Sequence, residues 1–255
     1  MPFADHKSSA RQLNLGRIPR LRQSIAPDEI ARPDYTSTPA RSFALLSAFA
    51  ILAADFYIIE SASRFAGWAH LFSTSQWNWF GKLASILFSC LLLACSPWLR
   101  QNVGLRWRQA PGSIKLSAAC VVAFLSCAIV LGVLIRPAPF SADTLLFQFL
   151  IPAIDEELLL RGIMLALLER AFGQSAVSCQ LRFGYASLLV SLVFGTAHAV
   201  SFEDGQCHFA TLMFSITTIW AAIAALVRTR SGSLLWPTIL HSAWDGSIFL
   251  VAMLR

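Results

Sequence analysis

Seven long apolar runs punctuate the chain, near residues 43–60, 83–99, 114–135, 144–169, 185–201, 208–227 and 233–254. A helix crosses a bilayer with about 20 apolar residues, roughly 17 to 25, so each run is long enough to span. Backbone N–H and C=O groups inside lipid must be satisfied within the segment, which makes these runs helices. The expected fold is all-α, a polytopic transmembrane helical bundle with a buried polar site. It has about seven membrane helices, or eight if the stretch after the first run also crosses. That stretch, 64–82, carries Phe65, Trp68, Phe72, Trp77, Trp79 and Phe80. Aromatic residues gather at the membrane–water boundary, and the stretch is read as an outer interfacial segment. Residues 1–42 hold Pro19, Pro27, Pro33 and Pro39 among polar residues, with no signal-peptide-like run. They are expected to form a flexible basic cytoplasmic tail, leaving 43–255 as the integral membrane domain.

Polar residues break this pattern in three places. Asp155, Glu156, Glu157 and Arg161 lie inside the fourth run, where ionised side chains are costly and mark a functional site. Phe194 and His198 stand four residues apart in the fifth run, and His241 and Asp245 four apart in the seventh. In a helix Glu157 and Arg161 share a face, whereas Glu156 is turned from Glu157 by about 100°. An ion pair between Glu157 and Arg161 would leave Glu156 available as a base. Pro152 suggests a kink or a helix start nearby, and a start there would set both glutamates near a positive helix end. At about 1.5 Å per residue, Glu156 and His198 lie roughly 20 Å from the inner ends of their helices and His241 roughly 12 Å. The first two sit level, with His241 and Asp245 within a turn or two. Asp155 is expected to share the cavity or cap the helix. Asp55, in the first run, is expected to reach the interface near a helix end, the alternatives being a pair with Arg161 or the lining of an aqueous entrance.

Composition agrees with the pattern, 56% of residues being hydrophobic and 13% charged, against about 25% charged in soluble domains. The net charge of +6 would suit a nucleic-acid partner only if it formed one patch. It does not: Lys7, Arg11, Arg17, Arg20, Arg22, Arg32 and Arg41 precede the first run, and Arg100/Arg106/Arg108, Arg170/Arg182 and Arg228/Arg230 fall in alternate loops. The intervening loops carry Arg64 and Lys82, then Arg136, then only Glu203 and Asp204. With seven crossings the richer clusters share one side, which the positive-inside rule makes cytoplasmic. A multi-pass protein of the cell (inner) membrane is expected, with its N-terminus inside, its C-terminus outside and its polar site in the outer half. No C-x-x-C or disulfide spacing is present. Cys90, Cys95, Cys120 and Cys127 are expected to pack as small buried residues, and Cys179 and Cys207 fall in loops.

A buried Glu beside a neutral His can hold a water, with the Glu as general base and the His orienting the water. A second His fixed by a neighbour one turn away can donate to the oxyanion formed on a peptide carbonyl. On Glu156-Glu157-Leu158-Leu159-Leu160-Arg161, Phe194-Gly195-Thr196-Ala197-His198 and His241-Ser242-Ala243-Trp244-Asp245, the chain resembles the CPBP family of intramembrane glutamic proteases, the CAAX-protease and bacteriocin-processing (Abi-type) group. The family pattern is E-E-x-x-x-R, F-x-x-x-H and H-x-x-x-N or H-x-x-x-D on successive helices. The resemblance covers about 144–250, the expected catalytic core. It implies Glu156 and His198 as the water-activating pair and His241 with Asp245 as the oxyanion side, supported by Glu157, Arg161 and Phe194. An ionised Asp cannot donate to an oxyanion, so Asp245 is either protonated or orients His241. The resemblance also implies intramembrane endopeptidase activity on a membrane-anchored or lipidated protein or peptide, with no cofactor and no resident metal. Three other readings use the same residues. Zinc could sit on His198, His241 and Glu156, the polar residues could form the proton relay of a transporter, or the pocket could belong to a non-catalytic scaffold or immunity protein.

Overall fold

The computed structural model describes residues 38–69, 75–134, 141–173, 176–178 and 183–254, all within a unit spanning 35–255. The expected tail falls almost wholly outside the described residues, as does Cys179. The helices follow the apolar runs. In chain order they are α1 (Thr38–Trp68), α2 (Trp79–Cys95), the short α3 (Pro97–Asn102), α4 (Ser113–Leu134) and α5 (Ala142–Glu156). A π-helical segment (Glu157–Met164) and α6 (Leu165–Phe172) follow, then α7 (Tyr185–Ala199), α8 (Thr211–Ser231) and α9 (Leu235–Met253). Among the described residues α1, α4 and α8 are long and apolar enough to cross a membrane.

Side-chain size sorts the surfaces of these helices. Phe43, Phe49 and Phe56 of α1, Val122 and Val130 of α4, and Leu212 and Ile219 of α8 are exposed, as lipid-facing residues must be. Small residues occupy the inner faces: Gly81, Ser85 and Ser89 along α2, Ser113, Ser117, Ala128 and Gly132 along α4, and Ala221, Ala224 and Ala225 on α8. Lipid is as apolar as a leucine side chain, so helices in it associate by close packing, which small residues permit. The cysteines depart from expectation on the same ground. Cys90, Cys95 and Cys127 are exposed and Cys120 is half-buried, since an apolar lipid environment suits a thiol as well as a protein core does.

The rod made of α5, the π segment and α6 is central. Every residue of Glu157–Met164 is buried, and α1, α2, α3, α7, α8 and α9 all touch this segment. Around the rod, α9 lies against α4 and α5, α7 runs along α8, and α1 packs on α2 and α6. Two close approaches fix the helices that matter most for the polar site. A Cβ on Gly195 would stand 1.9 Å from Thr218 Oγ1 of α8 and 3.0 Å from the Phe214 carbonyl oxygen. One on Gly246 would meet the Phe149 ring of α5 at 2.3 Å.

Two antiparallel hairpins depart from the all-helical expectation: β1 (Ala176–Ser178) with β2 (Phe183–Gly184), and β3 (Val200–Glu203) with β4 (Gln206–Phe209). The second takes the end of the fifth apolar run and the start of the sixth, so α7 stops at Ala199, one residue after His198. Its turn is made by Asp204 and Gly205, both at positive φ, while Glu203, the other acid noted above, ends β3. Between α1 and α2, the described part of the aromatic stretch is anchored. Trp77 Nε1 donates to Thr144 Oγ1 at 3.0 Å, Trp79 Nε1 donates to Asp143 Oδ1 at 2.8 Å, and both rings pack on Phe147.

If α9 seats on α5 through Gly246, a Gly246→Val substitution should destabilise the fold by about 1–3 kcal/mol through overpacking. Thermal unfolding in detergent would read this as a lowered Tm; an unchanged Tm would contradict the packing.

Candidate active site

The rod begins where Ser141 caps it, its hydroxyl accepting from the Thr144 N–H, with Asp143 in the first turn. Pro152 is interior to α5, so the expectation of a helix start there is corrected. A capped start ten residues upstream outweighs one missing N–H, which the surrounding bundle tolerates. The correction removes the helix end as a source of positive potential for the glutamates, because that effect fades within the first turn. The backbone instead widens into the π segment at Glu157. Such segments are rare and favour functional sites.

Counter-charge comes from side chains. Glu157 and Arg161 are each fully buried and pair as expected, Arg161 Nη1 to Glu157 Oε1 at 3.1 Å. The pair is not closed on itself. His241 Nδ1 lies 2.8 Å from the same Glu157 oxygen. The Arg161 guanidinium also stacks over the rings of Phe194, 4.4 Å from the centroid, and Trp220, at 5.2 Å, a cation–π arrangement that strengthens on desolvation. Phe194 is thus the floor beneath Arg161, and Trp220, which no polar motif flagged, joins it from α8.

Glu156 points elsewhere, as helical geometry required. Its Oε1 accepts from Lys82 Nζ at 2.8 Å, and the same ammonium donates to Asp155 Oδ2 at 2.8 Å. Lys82 therefore stands in the first turn of α2, within the site, rather than in an outer loop. Sequence reasoning missed it because a lysine at the edge of an apolar run reads as interfacial. Its spacing from Ser85, one helical turn on, was the available signal. Asp155 accepts from Ser85, which also contacts Asp55 Oδ1. Asp55 is buried and turned toward α2, so the interface reading for it is corrected. It pairs with Ser85 and not with Arg161.

The histidines converge on the other Glu156 oxygen. His198 Nδ1 donates to the Phe194 carbonyl oxygen at 2.9 Å, and its ring stacks on Phe194 with centroids 4.2 Å apart. Its Nε2 faces Glu156 Oε2 at 4.0 Å. His241, buried against Trp220, turns Nε2 toward Glu156 Oε2 at 3.9 Å and toward Asp245 Oδ2 at 3.2 Å. The structure thus brings Glu156, His198, His241 and Asp245 together, with Glu157, Arg161 and Phe194 directly behind them. The site is asymmetric in access. His241 is buried, whereas the His198 side chain is 38% exposed at the end of α7 that leads into β3.

Residues 138–247 match the model of a family described as type II CAAX prenyl endopeptidase Rce1-like. No curated protein and no solved structure matches the chain. The matched stretch runs from the start of the rod into α9 and contains Glu156, Glu157, Arg161, Phe194, His198, His241 and Asp245, while Asp55, Lys82 and Ser85 lie before it. CAAX proteases act on membrane-associated prenylated substrates, and the match supports protease activity here. The chain is therefore a helical membrane protein whose residues 138–247 are similar to the Rce1-like type II CAAX prenyl endopeptidases.

Proposed function

We propose that the protein is an intramembrane endopeptidase of the glutamic type, which hydrolyses a peptide bond of a membrane-associated, prenylated substrate with a water activated by Glu156 and His198. One observation carries this reading: the Glu156 oxygen left over by Lys82 faces the Nε2 atoms of both His198 and His241, at 4.0 and 3.9 Å. Those gaps are too long for direct hydrogen bonds and suit a bridging water. At about 2.8 Å from both groups, a water would subtend an angle of about 90°, close to its own preferred geometry.

The proton inventory fits base catalysis. With Nδ1–H committed to the Phe194 carbonyl, neutral His198 presents a lone pair at Nε2. The water then donates one hydrogen to Glu156 Oε2 and one to His198 Nε2, leaving an oxygen lone pair for the substrate carbonyl. Attack forms the C–O bond while Glu156 takes the proton. Collapse of the tetrahedral intermediate breaks the C–N bond, and Glu156 returns the proton to the leaving nitrogen. His241 has carboxylate acceptors at both ring nitrogens, Glu157 and Asp245, an arrangement that supports a donor at Nε2 for the oxyanion. Asp245 on this reading orients His241 and is not itself an oxyanion donor.

Access supports substrate entry beside β3, where His198 is exposed. The loop charges place this side outward, with the N-terminus cytoplasmic, so cleavage would fall in the outer half of a cell membrane. A zinc ion on His198, His241 and Glu156 is the alternative chemistry for the same residues.

The direct test is cleavage of a peptide ending in a prenylated C-a-a-X sequence by purified protein in detergent. Glu156→Ala should lower kcat by about 10²–10⁴-fold, and cleavage equal to wild type would sink the protease reading. Full activity after strong chelation is expected; loss restored by added zinc would favour the metal mechanism. At position 245, Asp245→Ala should cost about 10²-fold in kcat through a disordered oxyanion donor. Asp245→Asn, which keeps an acceptor for His241, should cost less, and equal losses would contradict the orienting role.

A further inference from the structure

The polar chain that begins at Glu156 runs on past every group the hydrolysis uses. Lys82 holds Glu156 Oε1 and Asp155 Oδ2, Ser85 contacts Asp155 Oδ1, and the same hydroxyl contacts Asp55 Oδ1. It crosses from the rod through α2 to α1. Asp55, Ser85 and Asp155 are buried, and the Lys82 side chain is 20% exposed. A hydroxyl can both donate and accept, and with a carboxyl oxygen of each acid within hydrogen-bond reach Ser85 bridges Asp55 and Asp155.

Tying three helices together does not require this. Gly81, Ser89 and Leu93 continue the buried face of α2 with no charge, and charge inside a membrane bundle is costly. The cation is held by Asp155 Oδ2 on one side and on the other holds the oxygen of Glu156 that faces away from the histidines. Resting on Glu156 as the base, we propose that Lys82 is a positioning residue of the hydrolysis. It fixes the carboxylate with Oε2 turned to the water, and it is itself held in place by Asp155, Ser85 and Asp55.

The groups facing Glu156 define what losing Lys82 would do. Asp155, Glu157 and Arg161 belong to the same rod, His198 comes from α7, and His241 with Asp245 comes from α9. Arg161 is committed to Glu157 and two aromatic rings, so among the described residues Lys82 is the lysine or arginine whose charge is hydrogen-bonded to the base. Removing a cation beside a carboxylate makes protonation easier. A base lost to protonation earlier in a falling-pH series moves the acid limb of kcat/KM upward.

The experiment measures cleavage of a fluorogenic prenylated C-a-a-X peptide from about pH 4 to 9 by wild type, Lys82→Met, Lys82→Arg, Ser85→Ala and Glu156→Ala. In Lys82→Met the acid limb should rise by about 1–3 pH units. Its kcat should fall by about 10²-fold through misplacement of the base, with KM unchanged, the split expected of a residue that acts through Glu156. Lys82→Arg should restore the acid limb, and Ser85→Ala should lower kcat at constant KM. A wild-type acid limb and kcat in Lys82→Met, with Glu156→Ala inactive, would overturn the positioning role alone. Wild-type cleavage by Glu156→Ala would overturn the base assignment and this inference together. If Lys82→Met does not fold, Lys82→Arg and Ser85→Ala decide: wild-type kcat in Ser85→Ala, or an acid limb displaced in Lys82→Arg as far as charge loss predicts, would overturn it.

Discussion

Glu157 is the node on which the site is built. Buried in the one helix that touches most of the others, its carboxylate takes Arg161 on one side and His241 on the other through a single oxygen. Neither charge of such a pair can be removed alone without leaving an uncompensated ion in an apolar interior. The two partners then commit the surrounding helices. Arg161 needs the faces of Phe194 and Trp220, which brings α7 and α8 to the rod. His241 fixes the rotation of α9 and, four residues on, the position of Asp245. His198 arrives at the mouth because Phe194, one turn below it, is already pinned beneath Arg161.

The three consecutive acids of the rod consequently have different work. Asp155 and Glu156 face α2 and share Lys82, while Glu157 faces α9. A run of carboxylates, costly in lipid when taken together, becomes tolerable because successive side chains leave the helix in different directions. Each direction meets a counter-charge. In the proposed mechanism the chemistry falls to Glu156 Oε2, the oxygen of that carboxylate that Lys82 does not hold and that faces both histidines.

Much of this was legible in the chain. Run length located the long helices to within about four residues, because an apolar stretch in lipid that is not part of a closed barrel must be helical. The exception is α1 (Thr38–Trp68), which extends beyond its run at both ends. Spacing of four residues identified the Glu157–Arg161 and His241–Asp245 pairs, and the three short motifs marked the stretch 144–250, close to the matched 138–247. Long-range contacts were not legible. Lys82 joins the site directly and Asp55 joins it through Ser85, over separations of tens of residues, and nothing periodic distinguishes a buried serine that bridges two acids from one that merely packs. Pro152 misled because proline signals a local cost, and the Ser141 cap that overrode it is set by a short-range hydrogen bond. The β3–β4 hairpin takes the adjoining ends of two apolar runs, since Val200 and Phe209 suit a strand as well as the end of a spanning helix.

Glu157 thus holds the site together, a role distinct from that of its neighbour Glu156. Unfolding of Glu157→Gln, measured beside Glu156→Gln in the same detergent, tests that division most directly. Glu157→Gln should lose about 3–5 kcal/mol, the cost of leaving the Arg161 charge buried without its partner, and Glu156→Gln clearly less. A Glu157→Gln protein as stable as wild type, or less affected than Glu156→Gln, would contradict that division.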